Sequence, residues 1–371
     1  MTKELLALTL AEGVGPVTAK NLVSFCKGAE EIFSMSRREL LRIPGVGESV
    51  AERIVANKAA LFAAAEKELE FCKKNDVRII PYYDAAYPQD LKMLASAPTL
   101  LFVKGKADLN RASMAIVGTR GPTEYGKKQA RRFASHWASR GLTIVSGLAF
   151  GIDAEAHTAA LEAGGATVAV LGHGLATLYP KEHKSLAARI VENGALVSEY
   201  PSDYKPDPRH FPHRNRIVAG MSRAVLVVEA GMQSGALNTA GHALSLRKRV
   251  FAVPGPLGAK ASEGTNALIR DGAAELATDP EFVLSKIFQY EMDFAPERTT
   301  GVSNPVPDEP PVPLNEHERT VYELLKIKDC LLDELLEATG FSLTGLMSVL
   351  LSMEFNGVIT QLPGRKFTLN K

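Results

Sequence analysis

Between residues 111 and 290 the chain repeats one pattern: a short aliphatic run, a loop containing glycine, and an amphipathic stretch long enough for a helix. The runs are MAIVG (114–118), LTIVSG (142–147), TVAVLG (167–172), ALVSE (195–199), AVLVVE (224–229) and RVFAVPG (249–255). They are continuous rather than alternating, as strands buried on both faces require. Segments such as EYGKKQARRFASHWASRG and DAEAHTAALEAGG lie between them and read as helices. Strand, loop and helix in succession predict an α/β fold built on a doubly wound parallel sheet, with short connections that place helices on both faces.

The flanks follow other rules. Residues 1–72 contain an internal repeat: EGVGPVTAKNLV and PGVGESVAERIV align at an offset that pairs Gly13 with Gly45, Gly15 with Gly47, Ala19 with Ala51 and Leu22 with Ile54. Each copy is a Gly-Val-Gly hairpin leading into a helix, similar to the helix-hairpin-helix motif, in which hairpin amides can approach a DNA phosphate. Its net charge of −1 (9 Lys+Arg, 10 Asp+Glu) favours a small packing unit over strong DNA binding. Residues 73–290 form the core, its first part (76–104) reading as short strands around a loop that extends the next domain. Residues 291–314 are acidic and carry Pro305, Pro307, Pro310, Pro311 and Pro313, the composition of a semi-extended linker. Residues 315–371 read as three amphipathic helices and a two-stranded wing, the winged-helix pattern. The helix in the recognition position, Ser342 to Phe355, has no Lys or Arg, and Met347, Leu350, Leu351 and Met353 make it apolar. Base readers carry Arg, Lys, Asn or Gln there, so a protein contact is the better expectation, with only Arg365 and Lys366 on the wing left for DNA.

Cys26, Cys72 and Cys330 are odd in number and widely spaced, which argues against a disulfide framework or zinc site and fits a reducing compartment. No apolar run reaches the length of a membrane span, and Glu4 and Glu12 break the N-terminal one, so a cytoplasmic protein without membrane insertion is expected. The net charge of +1 conceals an asymmetry: residues 73–290 carry 27 Lys+Arg and 19 Asp+Glu, net +8. A polyanion would bind there.

In a doubly wound sheet, ligands meet the loops at the carboxyl ends of the strands. Those loops are GTRGPTEYG, SGLAFGID, GHGLATLYPKEH, EYPSDYKPDPRHFPHRNR, EAGMQSGALNTA and VPGPLGAKASEGTN. Glycine lets helix-N-terminal amides approach phosphate, and Arg120, Lys181, Arg209, Arg214 and Arg216 supply positive charge. Pro212 should begin a helix that Ile217 and Val218 pin to the sheet, placing Arg214 and Arg216 in its first turns. The competing reading has these arginines satisfied by Glu199 or Asp207. Nucleotide motifs are absent: there is no GxxxxGK[ST], GTRGPTEYG lacks GxGxxG spacing, and the second strand ends at Ser146 rather than an acid. Asp153 and His157, four apart, more often cap and pack a helix than hold a metal, and His173 has no evident catalytic partner. Ser146 and Ser234 precede glycine outside any GxSxG and fit phosphate hydrogen bonding. Trp137 has core spacing. Tyr125 and Phe211 lie near basic residues, and Phe211 is a candidate stacking platform for a base.

The ordered motifs GTRxxxxYG, SGxAxGID–AxAH, AVLGxGL–YP, SEYP, FPxRNRI–AG, VVEA–SG–LNTA and VFAVPG–GTNxLI–DGA, over roughly residues 76–280, closely resemble the DNA-processing protein A (DprA/Smf) family. The resemblance implies an extended Rossmann-like core with small helical end domains. It implies binding of single-stranded DNA that enters during natural transformation, protection of that DNA, loading of RecA onto it, and a homodimer through the core. It implies neither enzyme activity nor a cofactor. Carried onto this chain, it points to Arg120 and Lys181, the Arg214–Asn215–Arg216 element and the Ser234–Gly235 loop. With the loop reading above, the full candidate set is Gly118, Arg120, Ser146, Gly147, Lys181, Arg209, Phe211, Arg214, Asn215, Arg216, Ser234, Gly235 and Asn238. Two other readings compete. The core more distantly resembles cytokinin-activating phosphoribohydrolases, but EAGMQSGALNTA lacks their PGGxGTxxE pattern. A protein-contact adaptor with incidental DNA binding is the other, carried by the apolar C-terminal helix and acidic linker.

Overall fold

The computed structural model describes residues 2–26, 28–292, 314–327, 329–362 and 366–369. The proline-rich segment therefore lies almost wholly outside the described residues. The chain forms two compact units, Met1–Ile287 and Phe288–Lys371.

The first unit begins with six helices: α1 (Thr2–Thr9), α2 (Pro16–Phe25), α3 (Ala29–Ile32), α4 (Arg37–Leu40), α5 (Glu48–Ala56) and α6 (Lys58–Lys74). The sequence repeat is a structural one. Gly13 and Gly45 take the left-handed backbone (φ +85° and +84°) that an L side chain resists, and each turns the chain into α2 or α5. The paired positions Ala19, Leu22, Ala51 and Ile54 are all buried, so both helices turn the same face to one small core.

The larger part is a nine-stranded sheet. Its strands are β1 (Val77–Pro81), β2 (Leu100–Gly105), β3 (Ser113–Val117), β4 (Thr143–Ser146), β5 (Thr167–Leu171), β6 (Ala195–Ser198), β7 (Ala224–Val227), β8 (Arg249–Ala252) and β9 (Glu275–Leu276). They are joined by α7 (Glu124–Ser139), α8 (Ile152–Glu162), α9 (Lys184–Asn193), α10 (His210–Met221), α11 (Gly235–Ser245) and α12 (Glu263–Arg270), and α13 (Pro280–Met292) follows. The spatial order is β1-β2-β6-β5-β4-β3-β7-β8-β9. From β3 onward every pairing is parallel, whereas β1 and β2 add antiparallel strands at the β6 edge. The chain winds outward from β3 to β6, then returns past it to β7, so the order reverses between β3 and β7. The aliphatic runs are buried along their length, and Val145, Val170 and Val225 pack with Ile217 and Val218 of α10 in one continuous core. Leu148, Leu161 and Leu171 join Ala187 and Ile190 of α9 in another cluster.

The second unit contains α14 (Glu316–Ile327), β10 (Cys330–Leu331), α15 (Leu332–Thr339), α16 (Leu343–Phe355), β11 (Ile359–Leu362) and β12 (Lys366–Leu369), the three strands forming a small sheet. Of the apolar residues on α16, Leu350 and Met353 belong to this unit's core and Leu351 is exposed. Arg365 and the Lys366 side chain lie outside what is described.

Candidate nucleic-acid interface

The loops after β3, β4 and β7 and the first turns of α10 and α11 converge at the switch between β3 and β7, where doubly wound sheets place ligands. They enclose a cavity of about 500 Å3 lined by Gly118, Arg120, Gly147, Phe211, Arg214, Asn215, Ser234 and Gly235, among others. Eight candidates thus come together in one place.

The rim carries what a nucleic acid needs. Arg120 is exposed and lies over the Phe211 ring, 5.8 Å from its centroid, and no carboxylate pairs with it among the described residues. Tyr179 packs on the other part of that aromatic surface, its ring 5.6 Å from Phe211 at 33°. Phe150 and Tyr179 are both exposed, so the rim presents several aromatic faces beside one free guanidinium. Lys181 is exposed two residues beyond Tyr179. At α11, Ser234 is the N-cap, its hydroxyl accepting from the Ala236 amide. Asn215 Nδ2 donates to the Gly235 carbonyl at 3.3 Å and to Asn238 Oδ1 at 3.4 Å, tying α10 to α11 across the cavity.

The floor is built from charge that is already spent. Arg214 is 4% exposed; its Nη1 donates to the carbonyls of Gly147 (2.8 Å) and Val170, at the ends of β4 and β5. Asp153 accepts from the amides of Gly147 (3.1 Å) and Ala149 (3.2 Å), which caps the turn into α8. Burial pushes the Asp153 carboxyl up, and the Arg214 charge opposes that rise. Burial likewise pulls the Arg214 guanidinium down to about 10, still charged at neutral pH. A Cβ on Gly147 would collide with both side chains, so only glycine lets the pair close under the loop.

Several expectations are corrected. Arg214 is a floor residue that braces two strand ends, not an exposed phosphate clamp. Arg216 is 3% exposed and pairs with Glu199 at 2.5 Å. Arg209 is exposed but bound to Asp207 through two nitrogens, at 2.9 and 2.7 Å. Of Arg214 and Arg216, the carboxylate reading holds for Arg216 alone; Asp207 is taken instead by Arg209. Ser146 is fully buried and donates to the Ile116 carbonyl, which links β4 to β3 and leaves nothing for a phosphate. The helix begins at His210, two residues before Pro212, because Asp207 turns the chain by accepting from Arg209 N and its carbonyl accepts from His210 N.

Residues weighed for catalysis are also committed to structure. His157 is fully buried with Nδ1 against Thr167 Oγ1 at 2.6 Å, and burial drives it down to about 3. His173 is buried, its ring nitrogens directed at the carbonyls of Gly174 and Tyr179. Trp137 is fully buried and donates to Pro280 O. The Tyr125 hydroxyl donates to Pro254 O.

Two features escaped the sequence reading. The aromatic partners Phe150 and Tyr179 stand in glycine loops already singled out, and an aromatic inside SGLAFGID and LYPKEH was the available signal. The other is Glu229, at the end of β7 and 2% exposed. It accepts from the Thr123 amide at 2.8 Å and hydroxyl at 2.7 Å, and its own carbonyl accepts from Thr119 N at 2.7 Å. Glu229 therefore fixes both ends of the loop that carries Arg120. An acid closing a strand at the switch point was its signature.

Residues 78–288 match the family described as DNA recombination-mediator protein A, residues 5–57 match a SAM-like helix-hairpin-helix tandem, and residues 305–365 match the DprA winged helix domain. The chain is 32% identical to Protein Smf of a Synechocystis species over 98% of its own length and 97% of that protein. It is 40% identical to Protein Smf of Escherichia coli over 81% and 79%. The X-ray structure of DNA processing protein A from Streptococcus pneumoniae aligns with a TM-score of 0.67 at 34% identity, covering 77% of this chain and 98% of that one. DNA processing protein A from Helicobacter pylori, a structure concerned with that protein's single-stranded DNA binding mode, aligns with a TM-score of 0.51 at 31% identity over 55% and 93%. On sequence and fold, the chain therefore belongs to the DNA recombination-mediator protein A (DprA/Smf) family.

Proposed function

We propose that this protein binds single-stranded DNA along the carboxyl-end loops of its sheet, protects DNA taken up in natural transformation, and loads the RecA recombinase onto it. The observation that carries the reading is the unpaired Arg120 over the Phe211 ring, at the mouth of a glycine-walled cavity. A guanidinium beside stacked aromatics suits a strand that offers phosphates and unpaired bases together, and a duplex hides its base faces. The single-stranded DNA binding of the Helicobacter pylori relative supports it. The contacts ignore base identity, so binding is sequence-tolerant and salt-sensitive. Asp153, His157 and His173 all serve packing or turns, which supports a binding protein over an enzyme. We further propose a cytoplasmic homodimer joined through the sheet domain. No helix among the described residues is long and apolar enough to cross a membrane.

The test is a titration of fluorescent single- and double-stranded oligonucleotides with the full chain, with RecA filament formation measured on the same strands. Strong preference for single strands and faster RecA nucleation are expected. Equal affinity for both forms would sink the strand reading, and unchanged nucleation would sink the RecA step alone.

A further inference from the structure

The first turn of α10 separates two cavities. Pro212 and Arg214 line the one described above, and His213 lines a second, larger one of about 830 Å3. Its walls come from the Gly13–Gly15 hairpin, from α6, and from the loop after β6. That loop is fixed from behind: the buried Glu68 accepts from the Ser202 amide at 2.9 Å and hydroxyl at 2.7 Å.

Three properties of this second cavity limit what it can hold. The first is a flat aromatic surface. The Tyr200 and Tyr204 rings, both in the wall, stack at 4.5 Å and 5° from coplanar, and Tyr204 is 38% exposed. The second is unused hydrogen-bonding capacity. Thr99 and Glu199 line the cavity with side chains more than nine-tenths buried. Among the described residues, Thr99 Oγ1 and Glu199 Oε1 have no hydrogen-bond partner, although Glu199 Oε2 is held by Arg216. Buried acceptors left unmatched call for a donor. The third is charge. Glu12, Glu68, Glu199 and Asp203 line the cavity against the single cation Lys67, and burial keeps His213 neutral, its imidazole pulled down to about 4 and its Nε2 3.9 Å from Glu199 Oε1. A phosphate is repelled here, whereas a flat neutral ring with N–H donors is complementary.

We propose that this cavity is a nucleobase site, taking one base from the strand whose phosphates lie by Arg120. The base stacks on Tyr204 and turns an N–H edge toward Glu199 Oε1 and Thr99 Oγ1. Every DNA base has such a donor, so the site adds affinity without strong base choice. Consecutive residues of α10 line both cavities, Pro212 and Arg214 the first and His213 the second, so a single strand can serve both. The inference rests on the single-strand reading above and extends it to the N-terminal helical segment.

The test uses the full chain, an oligothymidylate carrying one 2-aminopurine, and an abasic phosphodiester of equal length. Tyr204→Ala should weaken oligothymidylate binding on the order of tenfold, the loss of one stacked base. It should leave the salt dependence unchanged and narrow the gap between the base-bearing and abasic strands. Thr99→Val keeps the side-chain volume and should weaken binding by a smaller factor, so it carries the test should the tyrosine variant fail to fold. Millimolar deoxynucleoside monophosphates should leave 2-aminopurine quenching intact; displacement by them overturns the strand assignment in favour of a free nucleotide. Wild-type affinity in both variants, with Arg120→Ala still impaired, overturns the base site alone. No single-strand binding by the wild-type chain overturns both readings.

Discussion

Arg120 and Arg214 line one cavity and carry the same charge, yet their removal should have opposite consequences. Each phosphate neutralised on a single strand contributes about −0.7 to the slope of log K against log salt. The exposed loop cations without a carboxylate partner among the described residues are Arg120, Lys181, Lys205 and Lys260. Two to four contacts give a slope of about −1.4 to −2.8. Arg120→Ala should remove about 0.7 of that slope and one charge-assisted hydrogen bond, about 1.5–3 kcal/mol, with stability unaltered. Arg214→Met should do the reverse. It strands the Gly147 and Val170 carbonyls and leaves the Asp153 carboxyl buried without its counter-charge. Removing one partner of a buried charge pair costs about 3–5 kcal/mol. The salt slope of the folded fraction should stay at its wild-type value. Asp153→Asn combined with Arg214→Met should recover part of the loss, because the buried charge goes with its partner. Trp137, the one tryptophan, is fully buried in the sheet domain, so its fluorescence in urea reports this unit. Anisotropy between about 50 and 300 mM salt gives the slopes. A stable Arg214→Met protein whose slope has dropped by about 0.7 would refute the assignment and make Arg214 a phosphate contact.

Other outcomes follow from buried groups. His157 has its folded pKa depressed to about 3, so below pH 6.5 the unfolded chain binds a proton that the folded chain refuses. Stability contributed by neutral His157 is therefore lost as pH falls, about 2 kcal/mol between neutral pH and pH 5. Asp153 and Glu199, whose carboxyls are raised by burial, act in the opposite sense, so the effect is read as the difference between wild type and His157→Gln in urea titrations at each pH. Glu229→Ala should cost about 2–3 kcal/mol through the two lost Thr123 hydrogen bonds, and it should weaken DNA binding by releasing the Arg120 loop. Thermal melts and the anisotropy titration check both parts. Glu68→Leu should loosen the N-terminal helices from the sheet domain, because Ser202 loses both its acceptors. Limited proteolysis should then release residues near 1–75 early, and an unchanged digestion pattern would show that apolar contacts alone hold them.

The parallel strands were legible because burial on both faces writes continuous aliphatic runs, and each of the six named runs contains a strand. The antiparallel edge was less so. VRIIPYY and TLLFVKG read as strands and pair with each other, but the pairing of β2 with β6 that joins them to the sheet depends on contacts across about a hundred residues, which no local pattern encodes. The hairpin repeat was legible because glycine at Gly13 and Gly45 answers a backbone demand that recurs at the same spacing. The helix start was misread by two residues, since Asp207 turns the chain before the proline can. The site's location followed from topology, as carboxyl-end loops at a strand-order reversal must converge.

Which arginines remain free was not legible, for a physical reason. A net charge of +8 counts cations without their partners. Folding brings Glu199 to Arg216 across seventeen positions and Asp153 to the neighbourhood of Arg214 across sixty-one, so both arginines nearest the motif centre are consumed in positioning it. The pairing has a function of its own. With Arg214 bracing the ends of β4 and β5 and Arg216 anchoring Glu199, the first turns of α10 are tied to the strand ends. A strand bound there as proposed would meet loops that need little reordering, which lowers the entropic cost of binding. Affinity in this arrangement depends on a few free cations, glycine-loop amides and aromatic faces held in fixed positions. The salt slope should accordingly be shallow for so basic a domain, and a slope near the value for eight phosphates would place the DNA on a surface other than these loops.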